Sequence, residues 1–323
     1  TLTVNPGFLG TGANWQWYSG SCGGTFIGTG ASVSVSPAST TTYFVRAEGT
    51  CNTTACASLL ITVNTLSTDP ASASAAPNPV CAGNSSTLSV SGGFLGSGAS
   101  WQWYSSSCGA GFVGSGASLS VSPAVTTTYY VRAEGTCNTT NCVSVTVTVN
   151  SASVAAVSAG ATVNPICAGN STTLSVNPGF LGTGANWQWY SGSCGGVFVG
   201  TGLSVIVSPA SSTTYYVRAE GTCNTTSCVS VSITVNTNST AATSISATTN
   251  PICSGNSTTL SVVGGLLGSG GAWQWYSASC GGTWVGTGLS VSVSPASTTT
   301  YFVRAEGTCN TTSCVSLIIT VNT

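Results

Sequence analysis

NWQWYSGSCGG, at Asn14–Gly24, is the stretch whose reading decides the fold. It returns as SWQWYSSSCGA from Ser100, NWQWYSGSCGG from Asn186 and AWQWYSASCGG from Ala272. The first Trp of each copy is Trp15, Trp101, Trp187 or Trp273, a period of 86 residues. Within the stretch, Trp-Gln-Trp-Tyr alternates as a strand does, with both Trp on one face and Gln and Tyr on the other. Outward from it, Val4–Gly24 and Val176–Gly196 are identical over 21 residues. Near-identical tandem copies are the pattern of stalks, fibres and multivalent binders.

Composition narrows the function classes. Charged residues are 3% of the 323-residue chain, where an ordinary globular protein has about 25%. There is no Lys, His or Met, and Asp69 is the only Asp. Every other charge lies in an Arg-Ala-Glu tripeptide: Arg46/Glu48, Arg132/Glu134, Arg218/Glu220 and Arg304/Glu306. No basic footprint exists for nucleic acid, and no apolar run reaches the length of a membrane span. A triad, a carboxylate pair or a Schiff-base site cannot be assembled within a repeat, so the chain is expected not to be an enzyme. No cofactor or metal is expected: zinc lacks His, and calcium lacks clustered carboxylates. A surface without charge repulsion tends to self-associate.

The 15 Cys indicate disulfides made in an extracytoplasmic compartment. Each complete repeat carries four: Cys81, Cys108, Cys137 and Cys142, then Cys167, Cys194, Cys223 and Cys228, then Cys253, Cys280, Cys309 and Cys314. The first repeat has Cys22, Cys51 and Cys56. Its opening TLTV aligns with TLSV at Thr87–Val90, so the chain reads as a mature fragment or a window on a longer protein.

In the second repeat, period-2 alternation predicts strands at Thr87–Val90, Trp101–Tyr104, around Phe112-Val113, Ser118–Pro123, Thr126–Glu134 and Val143–Val149. Ser67–Pro79 reads as a Ser/Thr-rich linker able to carry O-linked sugar. Short alternating strands with turn signals every 8–12 residues describe an all-β chain of antiparallel sandwiches. A Trp on the third strand and a Tyr opening the penultimate one fit the immunoglobulin pattern. The expected architecture is four tandem immunoglobulin-like antiparallel β-sandwiches in a linear array. Their boundaries are 1–65 (lacking its first strand), 66–151, 152–237 and 238–323.

NPICAGNSTTLSV, WQWYSGSCGG, GTGASVSVSP, TTTYYVRAEG and the closing VTVTVN resemble the Ig-like repeats of very large secreted surface proteins of Bacteroidetes-type bacteria. Those often end in a sorting domain and are associated with adhesion and gliding. The resemblance covers essentially the whole chain and implies an Ig-like fold and a cell-surface location.

The inward Trp are expected to fill the core. On the outer face, Tyr18, Arg46 and Glu48 should share a contact patch, as should Tyr104, Arg132 and Glu134, then Tyr190, Arg218 and Glu220, then Tyr276, Arg304 and Glu306. An Arg over a Tyr ring there supplies about 0.5–1 kcal/mol. The Asn-x-Ser/Thr sites at Asn52, Asn84, Asn138, Asn170, Asn224, Asn238, Asn256 and Asn310 mostly fall in turns.

Strand order suggests the pairs Cys81–Cys108 and Cys137–Cys142, repeated along the chain, with Cys22 unpaired or joined to a segment outside it. The alternative joins one domain to the next, for example Cys108 to Cys223 or Cys228. The expected role is a non-enzymatic extracellular filament or surface stalk that self-associates by strand or edge contacts. In particular, the edge beside Thr1–Val4 is expected to lack a partner strand within the chain. The competing reading is a multivalent adhesin binding glycans or other cells through the repeated outer faces.

Overall fold

The computed structural model describes residues 1–5 and 7–322, all β-structure and turns. The second repeat shows the plan. Its strands are β1 (Ser72–Ala76), β2 (Val80–Cys81), β3 (Ser86–Ser91), β4 (Ser100–Ser107), β5 (Ala110–Ser115), β6 (Ser118–Val121), β7 (Thr127–Glu134), β8 (Val143–Val147) and β9 (Val149–Asn150). One sheet has the order β5-β4-β7-β8, and the facing sheet has β6-β3-β1. Both are antiparallel. A short parallel pair, β2 with β9, ties the start of the repeat to its end. The third and fourth repeats copy this plan, and equivalent strands keep the same label.

The sandwich core follows from the alternation. In β4, Trp101 and Trp103 face inward with Leu88, Val131, Ala133 and Val147, all buried. Trp103 donates its indole N–H to the Gly116 carbonyl at 3.0 Å, which satisfies the only polar atom it buries. Burying side chains of this size stabilises by about 1.5–3 kcal/mol each.

One expectation needs correction. The Ser67–Pro79 segment is not a linker: it holds β1, and Ser67 is buried. Its alternation is written in Ala and Ser, types that carry little β preference, so the pattern was weak. Ala73 and Ala75 nevertheless lie opposite Val90 and Leu88 and pack on the core. The parallel β2–β9 pair was also not expected, because two residues are too few to show a period.

The chain divides into two compact units, Thr1–Asn150 and Ser151–Thr323, each holding two repeats. In the first repeat the strand equivalent to β3 is Leu2–Thr3, which pairs with Ser32–Val33. No second neighbour lies along it among the described residues.

Candidate functional site

The outer face of the four-stranded sheet carries nearly all the charge of the molecule. On β4 and β7, Gln102 lies opposite Arg132 and Tyr104 opposite Tyr130. Two-residue spacing along β7 puts Arg132 and Glu134 on the same face. The structure brings them together. Arg132 Nε donates to Glu134 Oε1 at 2.8 Å, the Tyr104 hydroxyl donates to the same oxygen, and the guanidinium carbon sits 5.3 Å from the Tyr104 ring centre. Tyr18, Arg46 and Glu48 repeat this arrangement, as do Tyr190, Arg218 and Glu220, and Tyr276, Arg304 and Glu306.

Each Glu carboxyl is held below its ordinary range, first by the tyrosine hydroxyl that donates to it and also by the arginine. The tyrosine hydroxyls are pushed up. Donation to Glu is the leading cause for Tyr18, Tyr190 and Tyr276, and burial for Tyr104. Such a triad fixes charge and rings in place. It offers no nucleophile and no base poised near neutrality.

A disulfide closes over each triad. Cys22–Cys56, Cys108–Cys142, Cys194–Cys228 and Cys280–Cys314 are bonded, each with a sequence separation of 34. Arg132 Nη1 lies 3.8 Å from Cys108 Sγ. At Gly109 the backbone is left-handed, and a Cβ there would lie 2.8 Å from Arg132 Nη2, so only glycine closes this turn over the guanidinium.

The expected Cys81–Cys108 and Cys137–Cys142 pairs are therefore wrong, and so is the solitary Cys22. The loop Gly135–Cys142 does not stay at the sheet end. Thr139 bridges Glu134, Ala133 N–H donates to Thr140 Oγ1, and β8 starts opposite Val131. The loop therefore folds back along β7 and delivers Cys142 beside Arg132, where the β4–β5 hairpin brings Cys108. Cys51, Cys137 and Cys253, all expected in disulfides, are exposed free thiols.

A second kind of bond joins the third and fourth repeats. Cys167 on β2 of the third repeat is bonded to Cys309 of the fourth at 2.07 Å, across a sequence separation of 142. Cys81 and Cys223 are disulfide-bonded as well. The alternative of a bond from one domain to the next thus holds for the third and fourth repeats, but not through Cys108, because Cys108 is engaged within its own repeat. Cys167 is available because β2 pairs Ile166 with Val235 and Cys167 with Asn236, which places its thiol at the exit of the repeat. A cleft lined by Pro165, Ile166, Cys167, Asn170 and Asn236 there receives Thr308, next to Cys309. The matching cleft on the fourth repeat is lined by Pro251, Ile252, Cys253 and Asn256.

The junction carries further fixed contacts. Thr237 N–H donates to Ser269 Oγ at 3.0 Å, Ser269 N–H to the Thr237 carbonyl at 3.1 Å, and Thr308 N–H to the Ser269 carbonyl at 3.3 Å. Asn310 accepts from Ser239 N–H at 2.8 Å and donates to its carbonyl at 2.9 Å. Asn138 with Ser67 and Asn224 with Ser153 do the same. These three Asn-x-Thr asparagines thus clamp the start of their own repeat. Asp69 accepts twice from Asn141, at 3.0 and 2.9 Å, which holds its carboxyl below the usual range.

One part of the outer face escaped sequence reasoning. Phe26, Phe112, Phe198 and Trp284 stand exposed on β5, one per repeat. The three Phe meet the triad tyrosine edge-on at about 6 Å, and Trp284 donates to Gln274 Oε1 at 3.0 Å. An aromatic at the same place in every copy was the available signal.

No helix is long and apolar enough to cross a membrane among the described residues. The family described as Ig-like domain, CHU_C associated, matches residues 1–64, 69–150, 154–236 and 240–322. No curated protein matches the chain. Among solved structures, the I67–I69 I-band fragment of titin is similar with a TM-score of 0.50 at 11% identity, covering 78% of this chain and 99% of that one. The four N-terminal Ig domains of Dscam1 isoform 6.9 give a TM-score of 0.30 at 13% identity, covering 96% of this chain and 91% of that one. These likenesses concern the fold alone. With a family match in every repeat, the chain belongs to the CHU_C-associated Ig-like domains.

Proposed function

We propose that this chain is a non-enzymatic, extracellular structural protein, a filament or surface stalk in which consecutive repeats are covalently braced. The carrying observation is the Cys167–Cys309 bond. Linked domains ordinarily move relative to one another unless their interface is large and apolar. Between the third and fourth repeats a covalent bond is added to the Thr237–Ser269–Thr308 hydrogen bonds, which restrains that motion. Disulfides of both kinds favour an oxidising, extracellular setting. Negative-stain microscopy of native material tests the reading. Continuous filaments or projecting rods that become visibly more flexible with reductant are expected. Isolated globular particles, or particles unchanged by reductant, would contradict it.

A second reading has its own observation. The exposed Phe26, Phe112, Phe198 and Trp284 beside the Tyr–Arg–Glu triads form a repeated aromatic face of the kind that stacks on sugar rings. An adhesin would show saturable glycan binding that is lost when all four are replaced by Ala.

A further inference from the structure

The disulfides inside the repeats each set one sulfur against an arginine. Arg46 Nη1 lies 3.8 Å from Cys22 Sγ, Arg132 Nη1 3.8 Å from Cys108 Sγ, Arg218 Nη1 3.7 Å from Cys194 Sγ and Arg304 Nη1 3.8 Å from Cys280 Sγ. The contact always falls on the first cysteine of the bond. The guanidinium is divided between two partners. In the third repeat its Nε and Nη2 hold Glu220 Oε1 at 2.7 and 2.6 Å, which leaves Nη1 for the sulfur. The turn after the cysteine keeps this arrangement closed: Gly195 has a left-handed φ of +75°, and a Cβ there would lie 3.0 Å from Arg218 Nη2. Cys194 is exposed and Cys228 half-buried. The Cys167–Cys309 bond sits instead beside a cleft lined by Pro165, Ile166, Asn170, Asn236 and Thr308, none of them charged.

That difference bears on reactivity. A neighbouring guanidinium stabilises a thiolate, and the more stable a thiolate is, the faster it leaves a disulfide under attack. The paired glutamate works against this by offsetting part of the arginine charge, and the triad tyrosine, held neutral by its raised pKa, adds none.

We propose that the disulfide over each Tyr–Arg–Glu triad is a thiol-exchange site, where a small aliphatic thiol becomes bonded to the second cysteine while the arginine receives the first as a thiolate. In the third repeat the incoming thiolate attacks Cys228 Sγ and forms a mixed disulfide there. The Cys194–Cys228 bond breaks, its electron pair leaves on Cys194 Sγ beside Arg218 Nη1, and the proton of the incoming thiol goes to solvent. One disulfide replaces another, so no oxidant or reductant is consumed. The inference does not depend on the stalk reading, because the bonds concerned lie within single repeats. The third repeat is the place to test it. In the second, Asp69 binds Asn141 next to Cys142 and brings a negative charge near the attacked sulfur.

The test uses the full chain with Cys51, Cys137 and Cys253 alkylated beforehand, excess glutathione, acid quenching at early times and mass spectrometry of the fragments. Glutathione should appear on Cys228, and exchange at Cys194–Cys228 should run at least about tenfold faster than at Cys167–Cys309. Arg218→Gln should slow exchange at Cys194–Cys228 about threefold or more, while Cys280–Cys314 in the same molecule keeps its rate. Glu220→Gln should speed it, since the guanidinium then loses its counter-charge. Simple loosening of the turn would speed both variants, so the opposite signs separate charge from structure. Unchanged or faster exchange in Arg218→Gln, slower exchange in Glu220→Gln, glutathione mainly on Cys194, or equal rates at the two kinds of bond would overturn the proposal.

Discussion

Val4–Gly24 in the first repeat and Val176–Gly196 in the third are identical in sequence and differ in surroundings. Phe8 is 95% exposed, whereas Phe180 is 54% exposed and bridges Val154 through backbone hydrogen bonds of 2.8 and 3.3 Å. Trp15 is half-buried and Trp187 is 1% exposed. A Cβ on Gly10 would meet nothing within 4 Å, but one on Gly182 would lie 2.3 Å from the Ser151 carbonyl oxygen. Other parts do not change. Trp17 and Trp189 are both buried, and each donates to a glycine carbonyl at 2.9 Å, Gly30 or Gly202. The four-stranded sheet is therefore a property of the repeat itself. The loop tip and the outer Trp take their environment from the segment that opens the third repeat, around Val154 and Ala156.

That difference can be broken most forcefully at the outer Trp. Trp187→Ala should cost about 3–5 kcal/mol in denaturant unfolding, as large-to-small changes at buried aromatics do. Trp15→Ala, in the same local sequence, should cost clearly less. Equal losses would mean that the preceding segment adds nothing to the burial of this side chain.

The loop tip gives a smaller, more local version. Gly182→Ala forces a methyl against the Ser151 carbonyl and should destabilise by about 1–3 kcal/mol. Gly10→Ala meets open space and should stay within about 1 kcal/mol of neutral. Thermal melts of the two variants compare them directly. A neutral Gly182→Ala would show that the tip does not press on the linker.

The weakest effect concerns the triads, which are the same in both repeats. A Glu held below its unfolded range contributes stability above that range and loses it as pH falls through the folded value. The tyrosines have raised values, so their contribution is complete below their unfolded range and is lost as pH rises through the folded one. Glu220→Gln should flatten the acid limb and cost no more than about 1 kcal/mol at neutral pH, since the pair is partly solvated. An unchanged acid limb in that variant would place the titrating contribution elsewhere.

How far the sequence could be read varied with the kind of residue. Trp101, Trp103, Tyr129 and Val131 announce buried strands, because large apolar side chains alternating with polar ones leave few choices of face. The Tyr104–Arg132–Glu134 grouping was likewise accessible, since same-face neighbours follow from strand period and adjacency. Ser72–Ala76 was missed because small residues carry little amphipathic signal. Cysteine pairing failed for a geometric reason. A loop that folds back along its strand, as Gly135–Cys142 does, moves a thiol away from the sheet end where a straight strand count puts it. The exposed Phe and Trp on β5 were visible as letters, but their edge-on contact with the tyrosines needed the hairpin register.

The central claim is that the third and fourth repeats are joined through the first cysteine of one and the third of the next. Non-reducing proteolysis of the chain, with free thiols first blocked, followed by mass spectrometry of the linked fragments tests it most directly. The account predicts one fragment pair joined by Cys167–Cys309 and another by Cys194–Cys228, with the blocking group on Cys51, Cys137 and Cys253. Recovery of Cys167 bonded to Cys194, or of Cys309 bonded to Cys314, would contradict it.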